Sequence, residues 1–380
     1  MSLPKYIWSK GFTWEVLSIM KQRVKPFTLF LCVIILLFLI FGPRLIYRGL
    51  KRPPLFGDMT YKKPEWSGII KIWHVDYAQC GRSSVVNWLK PAIDKVESRH
   101  LDVFFDVRRV SPERLDMYFQ EGADRDVLPD IISLSSYENR VPKGILEDIK
   151  GYIPDHSWNM LIEPARKVVE IGEDVIGLPY MAGWYTFMIN SAIHQQSEEM
   201  DWISLDRFVE ESSKEYFGFI SYDAPYSKPI YCVGNPQIQR WIEDGKAPEE
   251  IDEMTYAESW RIFAVAEKAG VFLGPTRAIY DMRTRQSSGN GFGIEVVHIP
   301  TLEGLELDQL GIYGILKQEN EHKKRICIDF LLELIGEDMQ DSLDKIGMFS
   351  VRRDIKNIYS DDVDMKRLEE QLNSLYKGEK

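Results

Sequence analysis

GIIKIWHV, residues 68–75, is the stretch that decides the fold. Ile69, Ile70, Ile72 and Val75 are β-branched and leave no continuous polar face, as in a strand buried on both sides. Working outward, Val85, Val86, Leu89, Ile93 and Val96 recur at helical spacing over residues 83–97, and Pro91 predicts a kink or a late helix start. LDVFFDVRRV (101–110) reads as a second strand. Residues 112–120 read as a short helix, with Ser111 as N-cap and Pro112 at the first helical position. DIISL (130–134) is a third strand. Strands alternating with helices predict right-handed crossovers and a parallel, doubly wound α/β lobe, which binds ligands at the carboxyl ends of its strands.

The rest of the body continues the α/β pattern less regularly. VIGLPY (175–180) and WYTFMIN (184–190) read as strands, followed by a helix from Ser204 and a turn-rich region over 216–235. An amphipathic helix is expected over 255–268, strands at FGIEVVHI (292–299) and QLGIYGIL (309–316), a well-buried helix over 322–335, and closing helices at 339–346 and 364–376.

Charge divides the 380 residues in two. The chain has 47 basic and 58 acidic side chains, a net charge of −11. Residues 1–53 hold nine Lys/Arg against Glu15 alone, so the remainder, with 38 basic and 57 acidic residues, stands at −19. An acidic body is a poor nucleic-acid binder, because such affinity rests on neutralising phosphates. Its length suffices for two domains and large cores without disulfide or metal support. Cys32, Cys80, Cys232 and Cys327 form no C-x-x-C and no disulfide framework, which suits buried thiols.

PFTLFLCVIILLFLIFGP, residues 26–43, has 18 residues and no charge, the threshold length for a membrane span of about 18–20 residues. It lacks a small-x-small cleavage site. We therefore expect a cytoplasmic basic N-terminus over 1–25, an uncleaved transmembrane anchor over 26–47 and a linker over 48–66. Five basic residues precede the span and four follow it, a slight bias toward a cytoplasmic N-terminus.

Other chemistry finds little support. The six histidines show no metal-ligand spacing. Gly289-Asn290-Gly291-Phe292-Gly293 precedes a strand rather than opening a helix, the wrong context for a phosphate loop. No Gly-x-Ser-x-Gly elbow exists, and no carboxylate pair stands out for glycoside hydrolysis. No enzyme activity and no cofactor are expected. Arg283 and Arg285 suit an anionic solute or, more simply, a solvated charged loop.

Several segments together resemble the family 1 extracellular solute-binding proteins, the maltose-binding-protein-like receptors of ABC importers. They are IIKIWHVDY with the helix that follows, DRDVLPDIISLS (124–135), LEDIK (146–150), EDVIGLPYMAGWYTFMIN (173–190), LGIYGILKQENEHKKRICIDFLLELI (310–335) and QDSLDKIGMFSVRRDI (340–355). The likeness spans about residues 67–356. It departs from the family pattern over 211–300, which is shorter and less patterned, and in carrying a transmembrane segment where family members are lipid-anchored or free.

The resemblance implies a two-lobe type II clamp over 67–380. Lobe 1 would comprise about 67–175 plus a return segment near 300–340, and lobe 2 about 185–300 plus the C-terminal helices. Such a clamp closes on a solute, here a sugar, and delivers it to ABC permease subunits. That places the body outside the cytoplasm and the bilayer around the N-terminal helix. A degenerate clamp, serving as a ligand sensor or scaffold for a membrane signalling or envelope complex, is the alternative.

Sugar recognition needs flat rings and charge-assisted acceptors. The candidates are Trp73, His74, Asp76 and Tyr77 after the first strand, Ser135, Ser136 and Glu138 after the third, Tyr180 and Trp184 at the lobe crossing, and Tyr313 on the return crossing. Each also has a plainer role. Trp73 suits the core and His74 a structural hydrogen bond, Ser135 and Ser136 suit a helix cap, and Tyr180 and Trp184 suit packing of the hinge. Trp88 and Trp260, at helical spacing, are read as core.

Overall fold

The computed structural model describes residues 31, 34–37, 39, 65–75, 77, 84–119, 127–136, 140–193, 202–213, 215–222, 236–297 and 309–375. The chain divides into Met1–Lys63 and Pro64–Lys380. Of the expected anchor, residues 31, 34–37 and 39 are helical and exposed, and the remainder lies outside the described residues. Among the described residues no helix is long and apolar enough to cross a membrane.

Eleven strands are described: β1 Gly68–Val75, β2 Val103–Val110, β3 Ile131–Leu134, β4 Glu170–Ile171, β5 Asp174–Val175, β6 Leu178–Met181, β7 Tyr185–Asn190, β8 Phe217–Ile220, β9 Ala269–Pro275, β10 Ile294–Val297 and β11 Gly311–Ile315. They form two principal sheets, one per lobe, and a β4–β5 ribbon.

The first sheet runs β2-β1-β3-β11-β6. β1 is parallel to β2 and β3, as its sequence predicts, with Ile70 and Ile72 fully buried. The wholly parallel sheet is corrected in one respect. β11 enters antiparallel to both β3 and β6, because it returns from the second lobe and starts at the carboxyl end of the parallel strands. Pro91 acts as predicted: helix Ser84–Trp88 ends, and helix Lys90–Arg99 restarts with the proline in its first turn, where a missing N–H costs nothing. Helix Glu321–Leu334 covers the same sheet, with Phe330 against Phe105 (5.3 Å between rings) and Glu333 paired to Arg99 at 3.0 Å. Buried on this helix, the Cys327 thiol is pushed up by desolvation.

The second sheet runs β10-β7-β9-β8, antiparallel at β10–β7 and β7–β9 and parallel at β8–β9. Helix Trp202–Glu211 packs on β8 at Gly218, where a Cβ would meet Val209 O at 2.8 Å. The expected amphipathic helix starts at its Thr255–Glu258 capping box, but changes to a π-turn over residues 261–265 and gives way to β9. β8, β9 and helix Thr276–Ser287 occupy a region that reads as turn-rich or unpatterned in sequence.

Three residues, Ala182, Gly183 and Trp184, carry the chain from β6 in one sheet to β7 in the other. They are held by reciprocal backbone bonds between Ala182 and Phe349, both 2.9 Å, and by Trp184 stacked on Phe349 at 4.6 Å.

Candidate functional site

The carboxyl ends of β1 and β3, the start of β11 and the 182–184 crossing converge. There the backbone delivers His74, Ser133, Ser135 and Tyr313 to one place. Tyr313 O–H lies 2.8 Å from His74 Nδ1, and Ser133 Oγ accepts Val75 N–H at 3.0 Å. Burial pushes the Tyr313 hydroxyl well up, so it stays protonated and able to donate. His74 is lowered to about 4, first by burial and then by the charges of Arg109 and Arg277, so the ring is neutral at physiological pH. A donating Tyr313 leaves the imidazole proton on Nε2. Arg109 is the register partner of His74 on β2. Arg277, 3% exposed, is the second residue of helix Thr276–Ser287.

At the crossing, Gln309 N–H donates to Gly183 O (3.2 Å) and Thr276 N–H to Trp184 O (2.8 Å). The side chains behave differently. Thr276 Oγ1 and Gln309 Oε1 are buried without a hydrogen-bond partner. A Cβ on Gly183 would sit 3.0 Å from the first and 3.2 Å from the second, so both polar atoms converge on that face of the glycine. A larger residue at 183 would fill the space they share.

The structure sorts the sequence candidates. Trp73 is 3% exposed and packs tilted against Tyr118, ring centroids 4.6 Å apart, the core placement rather than a ring open to solvent. Tyr180 and Tyr313 are likewise sealed in the core, in a stack that runs from Trp88 to Tyr180 (5.8 Å) to Tyr313 (5.0 Å), with Phe330 tilted against Tyr313 at 6.2 Å. Trp184 packs the crossing between the sheets on Phe349. These rings are buried because the strand ends that carry them lie under helices. Tyr77 is half-buried and donates to Ser133 O at 3.4 Å, its hydroxyl raised by burial. Ser135 is buried and Ser136 half-buried. Asp76 and Glu138 lie outside the described residues. Arg283 and Arg285 sit on helix Thr276–Ser287 rather than in a loop: Arg283 is paired with Asp362 and Asp364, and Arg285 donates to Asn290 O.

Arg109, Thr276, Arg277 and Gln309 were not singled out from sequence. They come from four separate segments, and no local spacing links them. A cavity of about 410 Å³ lies at the opposite, amino end of β3, between Asp130, Ile145, Leu316, Gln318 and Lys323, away from these groups.

No family model matches the sequence, and no curated protein matches it. Solved structures do match in fold. A chitin oligosaccharide binding protein superposes with a TM-score of 0.61 at 12% identity, covering 82% of this chain and 87% of its own. Maltose-bound MalE3 of T. maritima follows at 0.60 and 14% identity, covering 80% and 87%. The maltotriose-bound maltotriose binding protein of Thermus thermophilus gives 0.57 at 15%, covering 81% and 87%. The chain therefore has the mixed α/β, two-lobe fold of maltose-binding-protein-like solute-binding proteins.

Proposed function

We propose that this protein is a membrane-tethered, extracytoplasmic solute-binding protein that captures a carbohydrate by clamp closure and presents it to an ABC importer. The observation that carries this reading is the clamp itself: two sheets joined at Gly183, with partnerless Thr276 Oγ1 and Gln309 Oε1 where the lobes meet. Buried hydroxyl and amide oxygens without partners suit a ligand rich in hydroxyls. A solute touching both lobes favours the closed state, because only that state offers all its contacts. The uncharged run over 26–43, flanked by basic residues, supplies the tether and faces the N-terminus to the cytoplasm.

The test is a thermal-shift screen of the full-length chain in mild detergent against malto- and chito-oligosaccharides, polyols and amino acids. Saturation at about 100 times the dissociation constant stabilises by about 2.7 kcal/mol. No shift with any saccharide sinks the reading. Cleavage of the body by protease added outside spheroplasts checks the orientation.

One observation favours the second reading, a degenerate clamp acting as sensor or scaffold. The rings of Trp73, Tyr180 and Tyr313, the aromatic platforms expected from sequence, are all spent on core packing. Affinity capture that recovers a signalling or envelope protein and no permease would favour it.

A further inference from the structure

We propose that the outer edge of the first sheet, strand β2, is a self-association surface whose occupant is a second copy of this chain. Two copies pair β2 antiparallel about a two-fold axis through Val107, joining their five-stranded sheets edge to edge. The pairing depends neither on the solute nor on the reading given to the clamp.

β2 bonds to β1 on one side, and among the described residues no strand bonds its other side. Gly68 N–H donates to Asp102 O (3.0 Å), so by the alternation of a ladder residues 104, 106, 108 and 110 turn their backbone groups to β1, while 103, 105 and 107 turn theirs outward. Two of the outward N–H groups are closed off within the chain: Val103 donates to His100 O (2.9 Å) and Phe105 to Glu97 Oε1 (2.9 Å). Val107, the next outward residue, has no such cap among the described residues. The strand beside it is apolar and open. Phe104 is 60% exposed and stands in register with Ile69 of β1, itself 57% exposed. An exposed apolar edge is a template for pairing.

The charges on this edge select the partner. In the register centred on Val107, Asp106 of each copy faces Arg108 of the other and Phe104 faces Val110, all on one face of the joined sheet. An axis through Asp106 or Arg108 would set like charges together. An axis through Phe105 or Arg109 would set Asp106 against Phe104 or Arg108 against Val110. Within one copy Arg108 Nε already donates to Asp106 Oδ2 at 2.8 Å, with the two side chains 66% and 38% exposed. A guanidinium has five N–H donors, so pairing across the axis adds to this bond and gathers two arginines and two aspartates into one network. At the axis each Val107 N–H donates to Val107 O of the second copy. β2 lies at the opposite end of the sheet from β6, which leads into the 182–184 crossing, so the pairing leaves that crossing uncovered.

The experiment is sedimentation velocity on the full-length chain in mild detergent over a range of concentrations. The expected result is a monomer–dimer equilibrium. Arg108→Asp sets aspartates opposite one another and should weaken the dimer at least about tenfold, and Asp106→Arg, which sets arginines opposite, should do the same. The double variant Asp106→Arg/Arg108→Asp brings opposite charges together again and should restore the dimer. Because both side chains reach solvent, melting temperatures measured where every variant is monomeric should match that of the wild type. A wild-type chain that stays monomeric at every concentration overturns the inference. So does a dimer that Arg108→Asp leaves intact, since its contact then lies elsewhere, and so does a loss of the dimer that the double reversal fails to restore.

Discussion

His74 shows how one residue ties local chemistry to stability. Its folded pKa of about 4 lies below the usual 6.5, so between those values the unfolded chain binds the extra proton. Stability from this group is thus complete above pH 6.5 and is lost as the pH falls toward 4, by up to about 3 kcal/mol. Buried carboxylates with raised pKa, such as Asp281 and Glu369, act in the opposite sense, so the clean measurement is a difference. Urea melts of the wild type and His74→Gln from pH 7 to pH 4 should show the wild type losing the greater stability. Gly218 makes a second test at this scale. Its missing side chain lets helix Trp202–Glu211 settle on β8, so Gly218→Ala should cost about 1–3 kcal/mol, read from the denaturation midpoint. Sequence alone placed His74 at a strand end beside other polar groups. Its neutral state was not legible there, because that follows first from burial in the folded core and then from the charges of Arg109 and of Arg277, the latter more than 200 residues away.

Among the elements, the C-terminal segment is bound to the rest through Gln340. It is fully buried, yet all its polar capacity is used: Nε2 donates to Tyr180 O (2.7 Å) and Leu334 O (2.9 Å), and Oε1 accepts from Ser350 Oγ (2.7 Å) and Val351 N (3.1 Å). One amide thus joins β6, the end of helix Glu321–Leu334 and the segment after Phe349. Gln340→Leu keeps the volume and removes a partner from four buried groups, of which Ser350 Oγ retains another, the Arg352 N–H, so a loss of about 2–5 kcal/mol is expected in thermal or urea melts. The elements differ in how far the sequence disclosed them. β1, β2 and β3 are legible because β-branched and aromatic residues are concentrated in each. β9 is equally apolar, but its Gly270, Gly274 and Pro275 read as turn signals, while its two neighbouring strands supply the pairing that overrides them. Helix Thr276–Ser287 is obscured by its three arginines, one of which, Arg277, is buried against expectation.

At the scale of the whole molecule, the lobes and their crossing were readable from motif order, whereas the direction of β11 was not, since strand pairing between distant segments leaves no local mark. The interleaving of that strand has a consequence for how the protein is made. β3 lies wholly buried between β1 and β11, and β11 belongs to a part of the chain translated much later. At about 5–20 residues per second, the roughly 180 residues separating them take on the order of 10–35 s to emerge from the ribosome. Throughout that interval the nascent first lobe carries an apolar strand with one bare edge, a template for wrong pairing. A chain ending at residue 300 should therefore aggregate when expressed, while the full chain stays soluble in detergent, as sedimentation of lysates would show. Recovery of the truncated chain as a soluble monomer would mean that the lobe closes its edge by another route. A chain with its first sheet interleaved in this way must first survive that sheet unfinished, and we expect it to depend during synthesis on factors that shield nascent chains.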